Sequence, residues 1–107
     1  MISEAHYKTF FTPILEKIDV AIIAPCAGVC YGGYMADMDS AAMKDLINVN
    51  LIHPILMSTS VALPYFEKRG AGTRNCIVFP SSTLDEQESS PGFALYGATK
   101  LGLSQFA

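Results

Sequence analysis

Apolar and polar positions alternate between helix-like and strand-like patterns in the first part of the chain. Residues 4–15 carry apolar side chains at helical spacing behind Ser3, a residue type that caps helices, and Pro13 should bend or shorten this first helix. The run Ile18–Ala24 is short, apolar and rich in branched side chains, so it predicts a strand buried on both faces. Residues 28–39 contain several glycines and predict a loop at the carboxyl end of that strand.

The same alternation continues in the second part of the chain. Ser40 should cap a long helix that ends before Gly70, and Cys76–Phe79 predicts a second buried strand. A polar loop, Ser81–Gly92, leads to a third helix that begins near residues 91–93 and continues to the end of the sequence. The predicted apolar face of the long helix contains Met43, Leu46, Ile47, Pro54, Met57 and Val61.

An alternation of helices with short buried strands is typical of parallel crossover units. We therefore predict an α/β fold in which a doubly wound parallel sheet carries helices on both faces. Two strands do not complete such a sheet, because parallel strands need neighbours at their edges and cover on both faces. The chain alone should thus leave apolar surface and strand edges uncovered.

Composition and charge narrow the classes of function. The net charge is −3 and the seven Lys and Arg residues are scattered over 107 positions, so we expect no nucleic-acid or anionic-membrane partner. Polar residues and prolines interrupt the apolar stretch Leu46–Phe66, which favours a buried helix over a transmembrane segment. Residues 1–10 lack the uninterrupted apolar core of a signal peptide, so a cytosolic location is expected.

The cysteines and histidines predict neither a disulfide nor a metal site. The number of cysteines is odd, namely Cys26, Cys30 and Cys76, and no other feature indicates an oxidising compartment. We therefore expect reduced thiols. His6 and His53 lie in unrelated segments and do not add ligands to the Cys26 and Cys30 pair. We therefore expect no bound metal.

Tyr96 and Lys100 are the main candidates for chemistry. Their four-residue spacing puts both side chains on one face of the predicted last helix, roughly 5–6 Å apart at Cβ. An isolated phenol titrates at about pH 10, and a neighbouring ammonium group stabilises the phenolate, which favours proton exchange closer to neutral pH. A tyrosine and a lysine also meet by chance on solvated helices, so the pair gains meaning only from further polar residues.

Two further polar residues are candidates for the same site. Ser82 follows the second predicted strand, at the carboxyl end where open α/β sheets bind ligands; a serine that caps its own turn is the alternative. Asn50 shares the apolar face of the long helix, so its buried amide needs hydrogen-bond partners. Pro54 cannot donate to the Asn50 carbonyl, and we hypothesise that this freed carbonyl holds a water molecule linked to Lys100.

These segments resemble the short-chain dehydrogenases/reductases. The matching segments follow in the family's order from its fourth strand to its catalytic helix: Asp19–Gly28, Asn48–Asn50, Pro80–Ser82 and Tyr96–Lys100. The resemblance implies that residues 1–107 form a partial Rossmann-type domain without the N-terminal βαβ units. It also implies NAD or NADP as the cofactor and a small-molecule ketone or secondary alcohol as the substrate, with a hydride exchanged between the nicotinamide and the substrate carbon.

The resemblance implies a role for each candidate residue. Tyr96 would exchange a proton with the substrate oxygen, and Ser82 would donate a hydrogen bond to that oxygen. Lys100 would hold the nicotinamide ribose and tune Tyr96, while Asn50 would support a water relay. The residues that would contact the cofactor are Ala27, Gly28, Tyr96 and Lys100.

The sequence departs from the family pattern in three places. Pro25 and Cys26 replace two asparagines whose amides pin the sheet and line the cofactor cleft. Ser82 lies one residue farther from the catalytic tyrosine than is usual, so the loop Leu84–Ser90 should absorb an insertion or Thr83 should replace the serine; we favour Ser82. The G-x-x-x-G-x-G turn that receives the cofactor pyrophosphate is missing. We therefore expect a fragment that is inactive alone, and the alternative is a non-catalytic remnant or interaction module that keeps the scaffold.

Other similarities concern the branch of the family and its assembly. Asn48–Pro54, Leu63–Arg69 and Pro91–Tyr96 look like the membrane-bound 3-oxoacyl-CoA reductase and hydroxysteroid dehydrogenase branch, which implies lipid or steroid metabolism at the cytosolic face of the endoplasmic reticulum. The family forms dimers or tetramers through its fourth and fifth helices, which implies a homo-oligomeric parent enzyme. Small residues on the last helix would permit such an interface, although packing within one chain explains them nearly as well: Gly97, Ala98 and Gly102.

Overall fold

Helices and short strands alternate through residues 3–83 and 90–107, which the computed structural model describes. The elements are α1 Glu4–Leu15, β1 Ile22–Ile23, α2 Ser40–Arg69, β2 Cys76–Ile77 and α3 Ala94–Phe106. Their order confirms the predicted alternation. The 30-residue α2 is α-helical at its two ends and in its middle, with two π-helical stretches between: Ser40–Ile47, Asn48–Ile52, His53–Met57, Ser58–Ala62 and Leu63–Arg69.

The two strands form a parallel pair. Ile22 lies opposite Cys76 and Ile23 opposite Ile77. The ladder continues one residue further, because the Val78 N–H donates to the Ile23 carbonyl at 3.0 Å. This parallel pairing across a helical crossover confirms the α/β class.

The strands differ from their prediction in length and in burial. The predicted strands Ile18–Ala24 and Cys76–Phe79 each shorten to two residues, and neither is buried on both faces. Ile23 is 8% exposed, whereas Ile22 is 63% and Val78 46% exposed. The outward face has no covering element within residues 3–83 and 90–107, which is the uncovered apolar surface that the sequence predicted.

The hydrophobic core lies on the Ile23 side of the sheet. Helix α2 supplies most of the buried side chains of this core. Helix α1 packs against these α2 residues, and α3 packs along the N-terminal half of α2. In the described part of the chain, all three helices therefore lie on one side of the two strands. The buried core residues are Ile23, Met57, Val61, Ala62 and Phe66, and the partly buried α1 residues against them are Tyr7, Phe11 and Leu15.

Helix α2 is long and apolar enough, by length and composition alone, to cross a membrane. Core helices of soluble proteins meet the same criterion, so this property is weak evidence for a membrane span. In this structure α2 contacts α1 and α3, and Leu46, Met57 and Phe66 are buried. These contacts agree with the predicted buried helix.

The helix ends follow the expected capping chemistry with one exception. Ser3 Oγ accepts from the His6 N–H at 3.4 Å, so the predicted cap of α1 is confirmed. Ser40 is not the cap of α2, because the carboxylate of Asp39 accepts from the Ala42 N–H at 2.7 Å. Aspartate and serine are equally good caps, and the sequence offers both in succession.

The C-terminal end of α2 is hydrogen-bonded to residues that precede both strands. Gly70 ends the helix with a φ of 84°, which favours glycine. The Arg69 side chain donates to Asp19 Oδ1 at 2.9 Å and also contacts Asn75 Oδ1. A single guanidinium thus links the entrances of β1 and β2.

Tyr65 fixes the start of β1 from α2. Its hydroxyl accepts from the Val20 N–H at 2.9 Å and donates to the Ile18 carbonyl at 3.2 Å.

Tyr65→Phe should therefore lower the free energy of unfolding by about 1–3 kcal/mol, since Val20 is half-buried and its N–H loses its partner. Urea denaturation of the full-length gene product measures this loss. Tyr34→Phe is the matched control, because Tyr34 is 72% exposed, and equal midpoints for both variants would contradict the prediction.

Candidate active site

Tyr96 and Lys100 meet on the inner side of α3. The Lys100 Nζ atom lies 5.9 Å from the centroid of the Tyr96 ring. Lys100 is only 8% exposed, and its ammonium donates to the carbonyl of Pro80 at 3.1 Å. Because Pro80 follows β2, this bond places the buried positive charge at the carboxyl end of the strand, where open α/β sheets bind ligands.

Ser82 is half-buried two residues beyond the Pro80 carbonyl. Its neighbour Ser81 turns toward the C-terminal half of α3, with 3.2 Å between Ser81 Oγ and Ser104 Oγ. Thr83, the alternative to Ser82, is exposed. The predicted insertion in Leu84–Ser90 falls mostly on residues 84–89, outside the described part of the chain.

Asn50 is buried in α2 with 1% of its surface exposed. Its side-chain amide makes two hydrogen bonds with one residue of the loop after β1: the Val29 N–H donates to Oδ1, and Nδ2 donates to the Val29 carbonyl, both at 2.8 Å. The amide therefore finds the interior partners that its burial requires. This pairing fixes the loop that the sequence predicts to line the cofactor cleft.

The helix backbone around Asn50 is widened. The His53 N–H donates to the Asn48 carbonyl, five residues back, which closes a π-helical turn immediately before Pro54. The same arrangement precedes Pro64, where the Leu63 N–H donates to Ser58. A wider turn accommodates a proline that lacks an N–H and presses on the carbonyl four residues back. The proposed water link from the Asn50 carbonyl to Lys100 remains a hypothesis.

Ala27 and Gly28, the predicted cofactor contacts, are exposed in the loop after β1. A β-carbon at Gly28 would lie 3.4 Å from Asn50 Oδ1, at van der Waals contact, so the loop backbone at Gly28 lies directly beside the buried amide.

The later part of this loop, at Gly32 and Gly33, contacts the residues immediately before α3. The Gly33 N–H donates to the Gly92 carbonyl at 2.9 Å, and a β-carbon at Gly32 would lie 3.3 Å from the Phe93 ring. Tyr31 donates to Asp45 of α2 at 2.6 Å, and this hydrogen bond raises the pKa of the Tyr31 phenol. The sequence did not predict these contacts, although the glycines pointed to a tightly turned loop.

Three participants at the site were absent from the sequence-based candidates: Val29, Pro80 and Thr99. Val29 and Pro80 act through backbone atoms, which residue types do not reveal. Thr99 is 2% exposed and its hydroxyl lies 3.4 Å from the Asn50 amide nitrogen. Its position one residue before Lys100 on the predicted last helix was the available signal.

The residues present fit the ribose and nicotinamide end of a dinucleotide cofactor. Among the described contacts, the Lys100 ammonium uses one of its three N–H donors, on Pro80, so two remain for a pair of ribose hydroxyls. Gly28 and Ala27 offer exposed backbone nearby. The sequence contains no glycine-rich turn of the spacing that receives a cofactor pyrophosphate.

A parallel sheet with a tyrosine and lysine pair at its carboxyl edge is an α/β arrangement in which the polar pair lies where such sheets bind ligands. The short chain dehydrogenase family model matches residues 3–107. The chain therefore belongs to the short-chain dehydrogenase family. No curated protein sequence matches it significantly.

Solved structures of similar fold agree with this assignment. The 4-hydroxyisoleucine dehydrogenase complexed with NADH and succinate is 29% identical, with a TM-score of 0.78 over 97% of this chain and 47% of that one. A short-chain dehydrogenase from Streptomyces avermitilis is 24% identical, with a TM-score of 0.82 over 98% of this chain and 37% of that one. An alcohol dehydrogenase from the archaeon Thermococcus sibiricus, complexed with 5-hydroxy-NADP, is 18% identical, with a TM-score of 0.82, and the match covers 97% and 42% of the two chains. The chain thus spans less than half the length of these structures.

Proposed function

We propose that this chain is the proton-transfer part of an NAD- or NADP-dependent oxidoreductase that interconverts a ketone and a secondary alcohol. The single observation that carries the proposal is the buried Lys100 ammonium beside the Tyr96 ring, at the carboxyl end of β2. Family membership supports oxidoreductase chemistry, and two of the similar structures hold NADH or an NADP derivative.

Tyr96 acts as the general acid in ketone reduction. Its phenol gives a proton to the substrate oxygen, and the same group takes the proton back in alcohol oxidation. Ser82 donates a hydrogen bond to that oxygen, with Thr83 as the alternative donor. When bound, the nicotinamide supplies or accepts the hydride.

Lys100 and Asn50 support this proton transfer from different sides. The Lys100 ammonium holds the ribose hydroxyls and keeps a positive charge close to the phenol, where it stabilises developing negative charge on the tyrosine oxygen. The Asn50 amide holds the cofactor-lining loop through Val29, and its carbonyl carries the proposed water relay.

Isotope transfer tests the reaction directly. The full-length gene product is incubated with ketones and with NADH or NADPH deuterated at either face of the nicotinamide C4. We expect deuterium at the carbinol carbon of the product from one face and one preferred cofactor. Cofactor oxidation without deuterium transfer from either face would contradict direct hydride transfer to the ketone. No turnover with either cofactor would favour the non-catalytic remnant, for which Pro25 and Cys26 in place of two asparagines are the supporting observation.

The 107-residue chain alone should not catalyse this reaction. It lacks the glycine turn that would receive the cofactor pyrophosphate, and its outward strand face is apolar and exposed. Titration of the isolated chain with NADPH, followed by nicotinamide fluorescence, should give no saturable binding, whereas the full-length protein should bind. Turnover by the isolated chain at a rate comparable to the full-length protein would contradict the fragment proposal.

The assignment to the 3-oxoacyl-CoA reductase and hydroxysteroid dehydrogenase branch, with a location at the cytosolic face of the endoplasmic reticulum, stays a prediction. We also propose a homo-oligomeric full-length enzyme, as is usual in the family. Of the small residues on α3, Gly102 already serves packing within the chain, since a β-carbon there would lie 3.3 Å from Leu51. Gly97 is half-buried and Ala98 is exposed, and both stay candidates for a subunit contact.

A further inference from the structure

Thr99 occupies a buried position between the catalytic helix and α2. It is 2% exposed, and its hydroxyl donates to the Tyr96 carbonyl at 2.7 Å. The same oxygen accepts from Asn50 Nδ2 at 3.4 Å. One O–H donor and one accepting lone pair are therefore both used, which a serine or threonine can do and an aliphatic residue cannot.

A threonine that donates to a carbonyl within its own helix is by itself unremarkable, because such bonds are common on solvated helices. Thr59 makes this kind of bond on α2, donating to Ile55 at 2.9 Å from an exposed position. Thr99 differs because its second partner is a buried amide of another helix. That amide in turn binds both backbone groups of Val29.

The polar contacts thus form one continuous path from the loop after β1 to the catalytic helix. They run from Val29 to the Asn50 amide, then to the Thr99 hydroxyl, and end on the backbone of Tyr96. The two side chains that carry the path, Asn50 and Thr99, are at most 2% exposed. The path joins the two elements that the proposed function assigns to the cofactor site, namely the loop at Gly28 and the helix carrying Tyr96.

We infer that Thr99 is a positioning residue, which holds Tyr96 at the correct distance from the cofactor-lining loop by linking its backbone to Asn50. The inference rests on the proposed function. Loss of the hydroxyl would let α3 shift against α2 and the loop, and a displacement of about 1 Å at a reacting group can lower a rate on the order of 100-fold. The effect should appear in kcat, because Thr99 itself does not contact the substrate.

The test compares three variants of the full-length gene product at a temperature well below unfolding. Thr99→Val, which keeps the side-chain shape without the hydroxyl, should lower kcat by roughly 10- to 100-fold with a KM for the ketone within about threefold of wild type. Thr99→Ser should restore kcat to within about threefold of wild type. Thr59→Val is the matched control, since it deletes a helix-internal bond of the same kind, and it should leave kcat unchanged.

Thermal unfolding of each variant separates positioning from stability. A Thr99→Val protein with a lowered melting temperature and a wild-type kcat would overturn the inference, as would a Thr99→Ser protein as slow as Thr99→Val. Thr99→Ala, which adds no methyl group facing Asn50, replaces the valine variant if that one does not fold. A Tyr96→Phe protein with full activity would instead refute the proposed function, whereas an inactive Tyr96→Phe beside a fully active Thr99→Val would refute this inference alone.

Discussion

Replacing Tyr96 with phenylalanine should lower kcat of the full-length enzyme by about 10²- to 10⁴-fold, the usual contribution of a general acid or base. The substitution deletes the phenol oxygen and keeps the ring, so the half-buried position beside Lys100 should stay filled. The KM for the ketone should change much less, because the proton is transferred in the transition state. Steady-state oxidation of NADH or NADPH, followed by absorbance, measures both constants.

Tyr34→Phe is the matched control for this experiment. Tyr34 is 72% exposed in the loop after β1, so loss of its hydroxyl should leave kcat within about twofold of wild type, as is usual for a surface change. A kcat for Tyr96→Phe close to the wild-type value would show that another group supplies the proton. Equal losses in both variants would point to a general effect of removing a phenol and would also contradict the assignment.

The side-chain periodicity was sufficient to predict the arrangement on the helices. Tyr96 and Lys100 lie together because residues four apart share a helix face, and the two are neighbours in the structure. Asn50 is buried because it lies among apolar residues at helical spacing. Helix α2 tolerates Pro54, because a π-helical turn absorbs the proline that the sequence marked as costly.

Long-range partners could not be predicted in the same way. The Asn50 amide reaches Val29, 21 residues away, and Thr99, 49 residues away, and the Val29 partner atoms are backbone atoms that every residue carries. The partner of Lys100 could not be predicted either, because it is the backbone carbonyl of Pro80. Periodicity states which side of a helix faces inward, but the residue on the opposite side depends on how the helices cross. Ser82 stays our prediction over Thr83, since both follow β2 and Ser82 is half-buried whereas Thr83 is exposed.

The apolar pattern of the strands predicts more cover than the described residues provide. Ile18–Ala24 is apolar on both faces, which is typical of a strand enclosed between two layers of helices. In the structure only the face of Ile23 is covered, and Ile22 is 63% exposed. Similar solved structures are more than twice as long as this chain. We expect that in a protein of that length a second layer covers the Ile22 face.

Ile22→Ser should therefore destabilise the full-length protein about as strongly as Ile23→Ser, despite the very different exposure of the two residues here. Truncation of a buried isoleucine costs about 2–5 kcal/mol, whereas a surface substitution changes stability by no more than about 0.5 kcal/mol. The two residues are adjacent in β1 and have the same side chain, so they differ only in the face from which they project. Urea denaturation gives both free energies. The prediction is contradicted if Ile22→Ser stays within about 0.5 kcal/mol of wild type while Ile23→Ser is strongly destabilised. The outward face of the strands would then be open in the whole protein. Its apolar residues would need a partner other than a second layer of the same protein.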